Sequence, residues 1–148
     1  MSENDEPVAQ EDAQLIVDKT IEYCWLIDTL DLDELHRIFT PDATFIIGEE
    51  VIQGLPAIQE RIGKSLNRLD LSQHIISNHQ VKIDKNSATS RCYLHAQHLD
   101  KNAQKGALFV IAGRYEDQFV RTENGWRIKQ RDLTPMWMDG NPGVLGRD

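Results

Sequence analysis

From His74 to Trp137 the chain is four long runs rich in β-branched and aromatic residues: His74 to Asp84, Ala88 to Leu99, Gly106 to Val120 and Trp126 to Trp137. Only the turn-like segments Asp84-Lys85-Asn86-Ser87, Lys101-Asn102-Ala103-Gln104 and Glu123-Asn124-Gly125 separate them. Connections this short cannot carry a parallel crossover, so successive strands run antiparallel. A meander of long strands has one face to bury, and the residues that precede it must supply the cover.

Those residues read as helices. Between Glu11 and Leu30 no Gly or Pro intervenes, and Leu15, Ile16, Ile21, Tyr23, Cys24, Trp25, Leu26 and Ile27 include helical spacings, so a long first helix is predicted, apolar nearly all round in its last turns. Asp31 can cap a shorter second helix with the stripe Leu32, Leu35, Ile38 and Phe39, ending near Thr40 because the residue before Pro41 is pushed out of the helical region. Ala43 to Ile47 reads as a short strand. Gly54-Leu55-Pro56 then opens a third helix with the stripe Leu55, Ile58, Ile62 and Leu66. Helices segregated ahead of strands define an α+β fold. The expectation is a cone: a strongly curved, mixed or antiparallel sheet wrapped over three N-terminal helices and enclosing a pocket, with Gly113 as one device for curvature. One domain over residues 11–140 is expected, with a flexible acidic tail at 1–10 and a C-terminal tail at 141–148. The glycine-rich stretch from Met138 onward reads as an irregular tail or lid.

Charge and spacing remove several functions. Sixteen Lys and Arg against twenty-four Asp and Glu give a net charge of -8, the wrong sign for a nucleic-acid partner. No apolar run is long enough to span a membrane, and the amino terminus is acidic where a signal peptide would be basic, so a cytoplasmic location is expected. Cys24 and Cys92 are unpaired in spacing and read as buried, inert thiols in a reducing compartment. The five histidines are scattered, without His-x-His or HExxH spacing, so no metal site is expected. Dinucleotide and phosphate loops are missing, and no Ser or Cys sits in a nucleophile elbow. Proton transfer by Asp and His is the enzymatic chemistry left.

Asp28 ends the apolar stretch Tyr23 to Ile27, where a buried carboxylate needs a partner. It reads either as a solvent-facing or capping residue at the fraying helix end, or as a catalytic base or the group that orients one. His74, Ile76 and Asn78 share a strand face by the two-residue period. They read either as ordinary strand residues or as a pocket lining. His98 shares a face with Leu94 and Ala96, which suits a cavity wall, whereas His36, His79 and His95 read as exposed.

Several phrases resemble one known family: Tyr23-x4-Asp28; Ile38-Phe39-Thr40-Pro41-Asp42-Ala43-Thr44-Phe45; Gly54 before the third helix; His74 to Asn78; Gly113-Arg114-Tyr115-x-Asp117; and Gly125-Trp126-Arg127-Ile128 followed by Arg131. Together, over about Asp12 to Gly140, they are similar to the SnoaL-like branch of the nuclear transport factor 2-like superfamily. Its lyases include scytalone dehydratase, bile acid 7α-dehydratase and hexachlorocyclohexane dehydrochlorinase. The resemblance implies a cofactor-free lyase or isomerase, dehydratase-like, in which Asp28 orients His74 and His74 removes a proton from carbon or assists a leaving group. It places Tyr23, Phe45, His98 and Arg131 at or near pocket positions, with Tyr23 or His98 available to protonate a departing hydroxyl or steady an enolate. The substrate implied is small, cyclic and largely apolar, in a pocket lined by Trp25, Leu26, Phe45, Ile76, Asn78 and Leu94. Aromatic and apolar residues in the long strands, including Phe109, Ile111, Tyr115, Phe119 and Trp137, exceed what one inner sheet face needs, so some should meet another subunit; the resemblance implies a homo-oligomer, dimer or trimer, joined through the sheet. Two other readings share the fold. One is a non-catalytic ligand-binding or association module, which predicts a dyad turned apart or a cavity filled by side chains. The other is the small subunit of an aromatic-ring dioxygenase, which needs an iron-bearing partner chain.

Overall fold

A computed structural model describes residues 5–146, with side chains from residue 9 onward. The chain forms helix α1 (Asp5–Asp28), a 3₁₀ helix (Leu32–Arg37), strands β1 (Phe39–Ile47) and β2 (Glu50–Gln53), helix α2 (Leu55–Leu66), strands β3 (Leu71–Asp84), β4 (Ser87–Leu99), β5 (Leu108–Thr122) and β6 (Gly125–Gly140), and a final 3₁₀ turn (Pro142–Leu145). The six strands make one mixed sheet in the order β2-β1-β6-β5-β4-β3, in which only β1 and β6 pair in parallel. The sheet curves over the helices as an α+β cone, as predicted, with α1 packed against β3 and β6.

Local chemistry explains where boundaries moved. α1 begins six residues before the predicted start at Glu11, because Pro7 falls in the first turn, where a missing N–H costs nothing. Of the predicted flexible tail, residues 5–10 are therefore helical, and 1–4 lie outside the described residues. The second helix is 3₁₀ and stops at Arg37. Leu30 turns the chain with φ 60, Asp31 makes no side-chain cap, and Phe39 is already paired with Ile128 in the sheet. Six residues between such constraints are too few to propagate an α-helix. β2 was not foreseen: Glu50–Gln53 folds back on β1 through a turn at Gly48, φ 60. Met138 to Gly140 continue β6 instead of starting an irregular tail, and Val144 in the following turn is fully buried. Arg68 holds that turn by donating Nη2 to the carbonyls of Gly143 and Val144 at 3.1 and 3.0 Å. Residues 147–148 lie outside the described residues.

Curvature comes from breaks in register. β5 shifts against β6 at Ala112/Gly113, where a Cβ on Gly113 would stand 2.6 Å from the Thr134 carbonyl oxygen, so only glycine allows the approach. β3 bulges between Ser77 and Gln80, with Asn78 at φ 61. Phe109, Tyr115 and Phe119 point into the core and Ile111 is partly buried, so of the apolar residues expected to meet another subunit only Trp137 is exposed. The outer face instead exposes Leu71, Ile75, Tyr93, Leu108 and Trp137. Among the described residues, no helix is long and apolar enough to cross a membrane.

At the floor of the cone, Arg131 on β6 forms a two-point ion pair with Asp117 on β5, Nε to Oδ1 at 2.7 Å and Nη2 to Oδ2 at 2.9 Å. Both side chains are fully buried. The guanidinium stacks on Tyr23 and Tyr115 at 4.4 and 3.8 Å from the ring centroids. Breaking a buried pair by removing one partner is costly, whereas replacing both by apolar groups is tolerated. Asp117→Asn should lower the unfolding free energy by about 3–5 kcal/mol in urea titration, and Asp117→Leu with Arg131→Met should recover most of that loss. An equal loss in the single and double variants would show that the pair does not act this way.

Candidate active site

Asp28 is the last residue of α1, and its carboxylate meets the inward-facing side of β3. Oδ1 accepts from Ser72 Oγ at 2.8 Å and from His74 Nδ1 at 2.6 Å, while Oδ2 accepts from the His74 backbone N–H at 2.9 Å. The backbone donor is available because β3 is an edge strand. Ser72 and His74 sit two residues apart and so present to the same side. Burial alone would raise the Asp28 pKa, but the His74 ring and backbone hydrogen bonds, the charge on His74 and the Ser72 hydroxyl outweigh it and hold the carboxyl below its ordinary value. An ionised carboxylate 2.6 Å from Nδ1 assigns the ring proton to that nitrogen. In the neutral ring, Nε2 on the far side then carries the lone pair.

His98 stands edge-on to His74, with ring centroids 5.7 Å apart and planes at 88°. Its Nδ1 donates to the Phe109 carbonyl at 2.9 Å. Burial pushes its pKa down to about 4, with the neighbouring His74 adding to the effect and the bond to Phe109 opposing it. His98 is therefore neutral at pH 7 and offers Nε2 as an acceptor, which corrects the expectation that it could donate a proton. Burial pushes the Tyr23 hydroxyl up to about 12 against the pull of the Arg131 guanidinium, so it stays protonated.

Tyr23, Phe45, His74, Leu94 and His98 converge on one cavity of about 90 Å³ inside the cone. Asp28 stands behind His74, on a wider groove of about 700 Å³ between the end of α1 and β3. His74 lines both spaces. Five expected pocket residues are elsewhere. Trp25 is 69% exposed and, with Ile76, lines the outer groove; the last turn of α1 turns its far side to solvent, although apolar all round. Asn78 is exposed because the β3 bulge breaks the two-residue alternation. The same bulge turns His79 inward, contrary to its expected exposure, where its Nε2 lies 2.9 Å from Thr20 Oγ1. Arg131 lies beneath the cavity, occupied by Asp117, and is not one of the lining residues. Leu26 is buried in the core and belongs to neither space.

Sequence reading missed Ser72, Arg61, Tyr115 and Leu145. Ser72 shares the period of His74 and was within reach of that signal. Tyr115, Arg61 and Leu145 enter the cavity wall through tertiary packing that no local pattern reports. Cys24 and Cys92 are buried thiols, pushed by desolvation to about 12 and about 11, and so are poor nucleophiles. Among the described residues, no three His, Cys, Asp or Glu side chains converge to hold a metal ion.

With this geometry in place, comparison with known proteins is informative. Residues 9–132 match the SnoaL-like domain family, and the chain belongs to it. An uncharacterised protein of Mycobacterium tuberculosis is 33% identical over 122 residues, which are 80% of this chain and 78% of that one. The terrestric acid biosynthesis cluster protein E of Penicillium crustosum is 26% identical over 145 residues, covering 94% and 92% of the two chains. A crystal structure from Kribbella flavida superposes with a TM-score of 0.85 at 21% identity, covering 92% of this chain and 97% of the other. A Novosphingobium aromaticivorans protein provisionally named a scytalone dehydratase superposes with a TM-score of 0.77 at 20% identity, covering 93% and 99%. The fold is that of the nuclear transport factor 2-like superfamily.

Two measurements check the electrostatics. In a nitrogen NMR titration, His74 should show one fixed tautomer with Nδ1 protonated, and Asp28→Asn should release it to a mixture. A free imidazole in both proteins would dismantle the dyad. For His98, the unfolded chain takes up a proton near pH 6.5 and the folded chain only near 4, so stability falls as pH drops through that window. The contribution is on the order of 3 kcal/mol, and His98→Gln should flatten that part of the pH–stability curve.

Proposed function

We propose that this protein is a cofactor-independent lyase or isomerase, dehydratase-like, acting on a small, largely apolar cyclic substrate by proton transfer at His74. The observation that carries the reading is the 2.6 Å contact between Asp28 and His74 Nδ1, with His74 in the wall of a mostly apolar cavity. In a dehydration, His74 Nε2 takes a proton from the carbon next to a carbonyl, and the C–H electron pair becomes the new C=C bond. The hydroxyl on the adjacent carbon departs with its bonding electrons, and the imidazolium returns the proton to it as water. Asp28 stabilises the imidazolium while it exists, and Tyr23 can donate to an oxygen of the intermediate. The provisional naming of the Novosphingobium neighbour and the biosynthetic cluster of the Penicillium relative support this class of chemistry. As part of the same proposal, the protein is a homo-oligomer joined through the outer sheet face, where Leu71, Ile75, Tyr93, Leu108 and Trp137 are exposed.

One observation favours a non-catalytic binding module instead. The cavity is about 90 Å³, well under the roughly 300–1,000 Å³ of ordinary ligand pockets. α2 and the C-terminal turn with Leu145 form part of its wall, and the catalytic reading requires that the cavity widen around a substrate. Exchange of the α-protons of cyclohexanone in D₂O, with dehydration of 3-hydroxycyclohexanone, separates the readings. Catalysis by the native chain should fall about 10²–10⁴-fold in His74→Gln and Asp28→Asn. Exchange no faster than with free imidazole would leave the binding module in possession.

A further inference from the structure

We infer that Arg61 determines which ligands the cavity accepts, by donating to a carbonyl oxygen held at the mouth. This rests on the reading of the cavity as a substrate site. Arg61 lies on α2, its side chain is 21% exposed, and it lines the cavity opposite the sheet. It is held in place from two sides. Nε and Nη2 donate to the two Glu50 carboxylate oxygens at 2.9 and 3.2 Å, and Nη1 donates to the Ser65 hydroxyl one helical turn on. Glu50 belongs to β2, so the grip spans the hairpin and the helix and fixes the fork in one orientation.

A guanidinium has five N–H donors. Three are used by Glu50 and Ser65, which leaves one on Nη1 and one on Nη2. Arg61 is also the sole Lys or Arg among the described residues of the cavity wall, which is otherwise mostly aliphatic and aromatic. The other groups there that could meet a carbonyl oxygen are uncharged: His98 is kept neutral and lends a lone pair, and Tyr23, Tyr115 and Ser65 offer only neutral hydroxyls. A base that removes a proton next to a carbonyl requires a donor for the oxygen that gains charge. Arg61 is the permanently charged donor within this small space. Its pairing with Glu50 keeps the net charge near zero, which suits a neutral ketone better than a polyanion.

The test is binding, so it does not depend on catalysis. Cyclohexanone and methylcyclohexane have similar shape, and only the first has an oxygen to accept. Dissociation constants for both, from NMR titration of the native protein and of Arg61→Met and Arg61→Lys, measure the preference. The native protein should favour the ketone by about tenfold or more, as a charge-assisted hydrogen bond allows. Arg61→Met should abolish the preference while leaving methylcyclohexane binding and the melting temperature nearly unchanged, since a half-exposed ion pair contributes little to stability. Arg61→Lys should restore part of it. A ketone preference that survives in Arg61→Met overturns the inference, and so does failure of the native protein to bind either probe. The proposed reaction fails separately: Asp28→Asn should leave the ketone preference intact, and ketone binding without α-proton exchange would reject the catalytic reading alone.

Discussion

A guanidinium without solvent access sits where three parts of the fold meet. Arg131 is on β6, its carboxylate partner Asp117 is on β5, and the ring of Tyr23 from α1 lies against its face. A charge in that position is costly unless paired, so α1 cannot slide along the sheet without disturbing the two-point bond or the stacking. The pair therefore acts as a register pin as well as a core contact. At the other end of α1, Asp12 accepts from Trp126 Nε1 at 3.1 Å and from Arg121 Nη2 at 2.7 Å, fixing the helix to the β5–β6 turn. With the helix held at two places, its last residue is delivered to one point on the edge of the sheet.

That point is Asp28. The carboxylate finds three donors because β3 is an edge strand, so the His74 N–H is free to leave the sheet. Ser72 and His74 turn to the same side by the strand period. The dyad is thus a consequence of topology: the end of the first helix placed against the unpaired edge of the last strand in spatial order.

How much of this was legible follows from how local each signal is. The sheet meander, the two α-helices and the α+β class follow from hydrophobic periodicity and turn composition, which act over a few residues. Asp28 stood out as a carboxylate in an apolar stretch, and His74 and His98 by their faces on strands; what paired Asp28 with His74 was likeness to the family. Asn78 and His79 were exchanged because one bulge in β3 reverses the alternation, and a bulge leaves no compositional mark there. Arg131 was placed near a pocket by likeness, but Asp117, fourteen residues earlier, claims it. Trp25 was misread because an all-round apolar helix end does not say which side meets the core.

The positions of the two imidazoles bear on the proposed chemistry. Proton uptake at His74 converts an ionised carboxylate and a neutral ring into an ion pair, so the charge created in the cavity is compensated at 2.6 Å. A second cation 5.7 Å away would oppose that step, more strongly in a dry interior than in water. Burial of His98 keeps that ring neutral down to about pH 4, against the opposing pull of its bond to the Phe109 carbonyl. The same burial that costs stability in acid therefore keeps a second positive charge away from His74. A more exposed histidine at position 98 would titrate near pH 6.5 and make the two rings compete for one proton.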